Sequence, residues 1–509
     1  MVLVCSRICF NGSGGVLLVP KGNWFDQGKL RRACFVPLVA LLAAGGVDAA
    51  PPPISIPAAA DTTQPAGTEG LFGFLNGIDR SNNLLGDLWG LRSGLAPYGI
   101  SFAVQETSEV LGNTSGGSRR GFDYDGLTQA VVQLNTQRAF GHYGGLFDVS
   151  ALQIHGQNLS QQNLETLQTA SGIEADRATR LWELWYEQKF LEEDRLDIKI
   201  GQQSLDQEFM VSTNALAFVN TMFGWPMLPS ADLPAGGPAY PLSALGVRLA
   251  ARPIDGVAFL AGIFDGSPVP KNSGDPQVQN PSGTSFPRGT GTLSIVEFQY
   301  SYPALGSMVE PDEAPPLGFT YRLGAWYDSE SFADQRVDVN GLSLANPLST
   351  GLPRQHGGDY AVYAVADQLI WRDGRDPNRT LAVFARLMGT PRSDRNLIDF
   401  SANVGLVFHS PFIYRTDDTL GIGFGYAHVS DAAAALDRAT AQFCGCYHPV
   451  RNAETFVELT YQYQVRPWLQ IQPDLQYVIN PGGGVVSASA PLQPVRNELV
   501  LGVRTNILF

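Results

Sequence analysis

Charged side chains are scarce in this 509-residue chain, at 16% against roughly 25% in typical soluble proteins. Lysine is nearly missing: beyond residue 49 only Lys189, Lys199 and Lys271 occur, beside 26 arginines. Past an N-terminal leader, no stretch reaches the about 18 apolar residues that a membrane helix needs, which excludes a bundle of such helices. Three of the five cysteines (Cys5, Cys9 and Cys34) fall in the leader, so no disulfide framework holds the remainder. What is abundant is glycine (55) and proline (34), with 10% aromatics. A chain that turns often, with few charges and no long apolar runs, fits a secreted all-β protein or a β-barrel of an outer membrane. Disorder, coiled coil and collagen are excluded.

Residues 1–49 read as a leader that includes a signal peptide. Lys29, Arg31 and Arg32 precede an apolar stretch from Ala33 to Gly46, and Val47-Asp48-Ala49 forms a small-residue cleavage site. The 28 residues upstream fit no signal-peptide pattern. Cleavage leaves 29 basic and 46 acidic residues, a net charge of −17. That surface argues against nucleic acid as a partner. Residues 50–96 are expected to be a linker, Pro/Ala-rich over 50–66, followed by an amphipathic helix. Leu84, Leu85, Leu88, Leu91 and Leu95 lie at helical spacing there, with Asn82 as cap and Pro97 as stop.

From residue 97 the dominant signal is alternation of apolar and polar residues over segments of about ten, the pattern of transmembrane strands. Over 468–480, Leu469, Ile471, Leu475, Tyr477 and Ile479 oppose Gln470, Gln472, Asp474 and Gln476. Over 181–190, Trp182, Leu184, Tyr186 and Phe190 oppose Glu183, Trp185, Glu187 and Lys189. Soluble sandwiches alternate too, so the connections carry more weight. Sixteen candidate strands, from 98–111 to 497–509, are joined alternately by long gaps and tight turns; only the proline-rich gap 303–316 departs from the rule. That sidedness predicts an all-β fold, a sixteen-stranded antiparallel transmembrane barrel over 97–509. The last strand ends in Phe509 with Ile507, Thr505, Val503, Leu501 and Leu499 on one face. Such a strand is what a bacterial barrel-assembly machinery recognises.

LWELWYEQ (181–188), IKIGQQSLDQEF (198–209), FVNTMFGWP (218–226), GGPAYPLSALGVRL (236–249), YAVADQLIWR (363–372), VRPWLQIQPDLQYVINPGGG (465–484) and LGVRTNILF (501–509) resemble the carbohydrate-selective porin (OprB) family. The resemblance runs from about residue 71 to the C-terminus. It implies a channel in the Gram-negative outer membrane, among lipid and lipopolysaccharide, through which mono- or oligosaccharides diffuse passively. Two other readings stay open: a porin for anions or amino acids, and a secreted sugar-binding β-protein. A monomer or a homo-trimer would suit a porin.

No G-x-S-x-G elbow and no H-E-x-x-H helix is present, and the six histidines lie at no ligand or triad spacing from a carboxylate. No catalysis, cofactor or metal is expected. Cys444 and Cys446 form a C-x-C pair that can close a disulfide or act in redox chemistry; two ligands do not make a metal site, and a loop-tip disulfide is favoured. Taking apolar parity as lipid-facing, the lumen receives Glu183, Trp185, Glu187, Asp197, Lys199, Arg248, Glu297, Gln299, Arg322, Trp326, Arg386, Glu458, Gln462, Gln470, Gln472, Asp474, Glu498 and Arg504. The parity of 359–372 and 255–265 is ambiguous, because both faces are apolar. The long connection 204–242 carries Phe218, Phe223, Trp225 and Tyr240 with few charges, which suits a constriction folded into the pore. Trp185, between Glu183 and Glu187, is expected to offer its ring face to a passing sugar beside arginine–carboxylate pairs.

Overall fold

The computed structural model describes residues 82–270, 274–287, 289–303 and 316–509. The leader and the Pro/Ala-rich segment lie outside the described residues. Sixteen antiparallel strands close into one barrel. They are β1 (Ile100–Ser115), β2 (Gly121–Asn135), β3 (Gly145–Gly156), β4 (Ala178–Phe190), β5 (Leu196–Gln203), β6 (Ala244–Ile254), β7 (Val257–Asp265), β8 (Thr292–Tyr302), β9 (Phe319–Asp338), β10 (Pro353–Arg372), β11 (Thr380–Gly389), β12 (Ile398–His409), β13 (Thr419–Val429), β14 (Ala453–Arg466), β15 (Leu469–Ile479) and β18 (Glu498–Leu508). Two short strands, β16 (Val486–Ser487) and β17 (Ala490–Pro494), pair with each other in the last connection. The seam between β1 and β18 runs from Gln105 opposite Leu508 to Ser115 opposite Leu499. Closure leaves no sheet edge, so every backbone group at membrane depth has a partner.

The expected helix over 82–96 forms only at Leu91–Leu95. Leu88, Trp89, Gly86 and Gly90 take left-handed backbone angles, which turn the chain before a longer helix can propagate. The segment instead plugs the barrel seam. Leu84 donates its amide to Leu508 O (2.8 Å), and the Arg92 guanidinium donates to Phe102 O (2.7 Å) and Phe509 O (2.5 Å).

Alternation sets the two faces. Ile200, Ile263, Val296, Leu323, Val362 and Leu406 are exposed on the outer wall, while Glu109, Asp197, Glu297, Arg386 and Glu458 are buried inside. Trp182 is the exception to the expected parity. It sits at a bulge where β3 pairs Ser150 with Glu183 and Ala151 with Leu181. The extra residue turns Trp182 inward, onto Tyr240 at 6.5 Å between ring centroids. The ambiguous strand parities resolve as well. Ala361, Tyr363, Val365 and Asp367 point inward from β10, and Leu260 and Phe264 from β7, because these inner faces meet a folded loop rather than water.

Candidate functional site

The connection 204–242 folds into the barrel. Its backbone needs hydrogen-bond partners there, and the wall supplies them as side chains. Glu183 accepts from Ser204 N (2.9 Å), Glu297 from Met210 N (2.8 Å), and Asp367 from Ser212 Oγ (2.6 Å) and Asn214 N (3.2 Å). Glu458 accepts from the amides of Val219 (2.6 Å) and Asn220 (3.0 Å). In the other direction, Gln472 and Gln462 donate to Ala217 O (2.9 and 3.3 Å). Arg386 donates to Met210 O and Gly224 O (2.9 Å each), to Met222 O and to Asn403 Oδ1. The loop's aromatics fill what remains. Phe218 and Phe223 pack together at 4.3 Å, and Phe223 meets Phe384 of β11 (5.7 Å) and Phe456 of β14 (5.4 Å). Glycine makes this approach possible: a Cβ on Gly421 or Gly423 of β13 would lie 2.9 Å or 2.4 Å from those rings.

A second loop, 157–177, enters beside it. Glu454 accepts from Leu167 N (2.8 Å) and Gln168 N (2.7 Å), and Gln476 donates to Ala170 O (2.7 Å). The two loops are stitched together by Gly172 N to Val219 O (2.9 Å) and Thr221 N to Thr169 O (3.2 Å). Tyr240 adds a hydroxyl bond to Ile173 O (3.0 Å). The sequence signal for this second loop was its length alone, since its polar residues resemble those of any surface connection.

Facing β4–β6, the first loop is tied by charge. Arg248 contacts Glu187 (2.9 Å), Glu208 (2.5 Å) and Asp197, and Lys199 pairs with Glu208. Glu208, from the loop, therefore joins two cations of the wall. Elsewhere Arg322 pairs with Asp367 (3.0 Å) and lies 3.9 Å from Glu297, to which Gln299 donates at 2.7 Å, and Arg504 pairs with Glu109.

The structure thus sorts the expected lumen residues. Glu183, Glu187, Asp197, Lys199 and Arg248 meet in one network at the loop's edge. Glu297, Arg386, Glu458 and Gln472 face inward but are buried beneath the loop, so they hold it rather than wet the wall; Trp326 is buried in the apolar cluster that includes the loop's aromatics, and Asp474 is buried accepting from Gln476 (2.8 Å). Gln470 bonds to Gln464 (3.3 Å) and Asn506 (3.0 Å). Glu498 is buried on β18. Trp225 donates to Gly236 O within the loop (2.9 Å). The ring face of Trp185 is already covered: the Lys199 ammonium sits 4.2 Å above it, a cation–π contact that takes the place expected for sugar.

At the mouth, a helix over Asp431–Cys444 ends where Cys444 and Cys446 are joined by a disulfide. Asp437 on this helix contacts Arg451 (2.9 Å) and His448 (3.5 Å). Burial alone would raise its carboxyl, but the hydrogen bonds from His448 and Arg451 outweigh it and hold the group below the usual carboxylate range. Asp232, inside the loop, is pushed well above that range by burial and by Asp359, although Leu397 N (2.8 Å) and Ile398 N (3.3 Å) donate to it. Four histidines reach carboxylates brought from other segments (His155 to Glu106, His356 to Asp334, His428 to Asp399, His448 to Asp437), pairings that sequence spacing does not reveal. Among the described residues, no group of three or more His, Cys, Asp or Glu could hold a metal ion.

A closed sixteen-stranded barrel with an apolar outer wall and two loops folded into a polar interior defines an outer-membrane porin. The sequence model of the carbohydrate-selective porin, OprB family, matches residues 119–509, and the chain belongs to that family. Porin B of Pseudomonas aeruginosa is 26% identical over 449 residues, covering 84% of this chain and 91% of its own length. The putative porin QuiX of Acinetobacter baylyi is 22% identical over 172 residues, 32% of this chain and 36% of its own. The high-pH structure of Pseudomonas putida OprB shares the fold with a TM-score of 0.71 at 24% identity, covering 84% of this chain and 99% of that one. The protein is a sugar-selective porin of the Gram-negative outer membrane.

Proposed function

We propose that neutral sugars cross between the infolded loops and the wall formed by β1–β6, past the network of Glu183, Glu187, Asp197, Lys199, Arg248 and Glu208. The observation that carries this reading is the double engagement of Glu208 by Lys199 and Arg248. It spends the cations of that wall on carboxylates and leaves no uncompensated positive ring of the kind an anion pore uses. Hydroxyl groups can exchange water for these paired donors and acceptors one at a time, and each contact is weak enough to release. The reading also includes export through a cleaved leader, recognition of the Phe509 strand by the barrel-assembly machinery and a surround of lipopolysaccharide. Liposome swelling tests the selectivity: neutral pentoses and hexoses should enter faster than sugar acids or sugar phosphates of the same size. Equal rates for the anionic set would overturn it.

A further inference from the structure

We propose that Asp232, Asp359 and Asn396 form a calcium site that fastens the constriction loop to the extracellular end of the barrel wall. Asp232 closes the short helix Met227–Asp232 inside the loop, Asp359 lies on β10, and Asn396 lies in the connection between β11 and β12. Asp359 and Asn396 are 0% exposed and Asp232 is 8% exposed. Main-chain and side-chain hydrogen bonds bring the three together. Asn396 Nδ2 donates to Asp359 Oδ1 (3.1 Å). The next two residues donate their amides to Asp232 Oδ1, Leu397 N at 2.8 Å and Ile398 N at 3.3 Å.

Each of these side chains keeps one oxygen that receives nothing. Asp232 Oδ2, Asp359 Oδ2 and Asn396 Oδ1 are buried and have no hydrogen-bond partner among the described residues. The Asn396 amide cannot be turned over to satisfy its oxygen, because that would set the oxygen against Asp359 Oδ1. Their charge is equally uncompensated. The Arg395 guanidinium nearby gives Nε and Nη2 to Asp394 (3.0 and 3.1 Å) and Nη1 to Gly358 O (2.5 Å). Asp399, a further carboxylate close to Asp232, is already paired with His428 Nδ1 (2.6 Å). Two carboxylates taken out of water without a counter-charge are costly, and so is an amide oxygen without a donor.

Three occupants offer relief, and they differ in how much. A proton on Asp232 would join it to Asp359 but leave Asn396 Oδ1 bare. A water molecule brings two hydrogens for three acceptors and no charge. A divalent cation meets all three oxygens and neutralises both carboxylates. The donor set has oxygen alone, without nitrogen or sulfur, which selects a hard cation. Calcium tolerates irregular shells of about six to eight oxygens, drawn also from carbonyls and water, whereas magnesium demands a near-ideal octahedron. With an amide as its third side chain, the site is distinct from the acid, cysteine and histidine groupings excluded above.

The three ligands belong to three separate segments, and only Asp232 belongs to the constriction loop. A bound ion therefore holds the loop's outer part, while Arg386, Glu297 and Glu458 hold its inner part. The steadiness of the constriction then depends on calcium in the medium.

Calorimetry on the purified full-length protein tests binding directly, independently of where sugars pass. After EDTA treatment in lipopolysaccharide-free detergent, the protein should take up about one calcium ion per chain. The Kd should be about 10⁻⁴–10⁻³ M or tighter, the range of extracellular calcium modules. Magnesium should bind at least tenfold more weakly, and Asp232→Asn and Asp359→Asn should each abolish the calcium heat in a barrel that stays heat-modifiable. In planar bilayers, EDTA should raise the current noise of the unaltered channel at least twofold and calcium should restore it, with neither variant responding. Absence of saturable calcium heat would overturn the proposal. So would heat retained by both variants, the mark of diffuse adsorption on an acidic surface, or equal binding of magnesium. Should the variants fail to fold, a crystal structure at saturating calcium decides: an ion among the three oxygens supports the site, and its absence there overturns it.

Discussion

Arg386→Ala should loosen the constriction without unfolding the barrel. The guanidinium gathers the carbonyls of Met210, Met222 and Gly224 and the Asn403 side chain, and it is 1% exposed. Truncation leaves three loop carbonyls without their donor. A buried acceptor left unpaired costs about 1–3 kcal/mol, and hydrogen bonds to a charged group contribute about 1.5–3 kcal/mol each. Water entering the vacated space recovers part of this, so a loss of about 3–5 kcal/mol in loop docking is the working figure. At 1.4 kcal/mol per factor of ten, the ratio of docked to undocked loop should fall by roughly 10² to 4 × 10³. The closed sheet does not depend on this residue, so heat-modifiable migration in gels should persist. In planar bilayers the variant should show a larger and noisier single-channel conductance, and sugars should block it less tightly. Arg386→Lys should stay impaired, because one ammonium cannot reach three carbonyls and an amide oxygen at once. A folded Arg386→Ala barrel with ordinary conductance, noise and sugar block would refute the claim that this side chain holds the loop.

Arg248→Ala releases Asp197, Glu187 and Glu208 from a shared cation; the reversal potential in a salt gradient should move toward cation preference. With Lys199 over its ring, Trp185→Ala should change sugar flux less than twofold, since the face is already occupied; a Lys199→Ala background should bare the ring, and Trp185→Ala there should have the larger effect. For the mouth helix, Asp437 is held below its ordinary value, so its contribution is complete above the unfolded carboxylate pKa and is lost as pH falls through the lower folded value. Limited proteolysis of 430–452 should therefore show protection from neutral pH down to the ordinary carboxylate range and exposure only below it, and Asp437→Asn should be cleaved already at neutral pH.

The sixteen strands were legible because lipid outside and polar groups inside impose period two on each of them. Where that contrast ends, the signal ends. β9 and β10 run on to Asp338 and back to Pro353, well beyond the segments 317–328 and 359–372 read from alternation, because DSESFADQR is polar on both faces outside the membrane. Trp182 was misplaced by a bulge, which alternation cannot register. Tyr363, Val365, Leu260 and Phe264 blurred the parity of their strands because a loop, not water, covers them. The candidate site was legible in part. Arg248, Lys199 and their carboxylates were visible as inward positions on β4–β6. Glu208 as the partner that Lys199 shares with Arg248, 40 residues on, the grip of Glu454 on the second loop and the burial of Arg386 under the first all depend on how distant segments fold together. A helix expected from leucine spacing near the N-terminus gave way to left-handed residues at Leu88 and Trp89, whose propensities do not announce them.

The central claim is that the loop over 204–242, held inside the barrel by wall side chains, sets the sugar path. Single-channel conductance with increasing sugar, compared between the unaltered protein and a chain lacking 214–238, tests it most directly. The account predicts a small conductance that sugars reduce in the unaltered channel, and a larger conductance with little sugar block after deletion. A folded deletion barrel whose conductance and sugar block match those of the unaltered channel would contradict it.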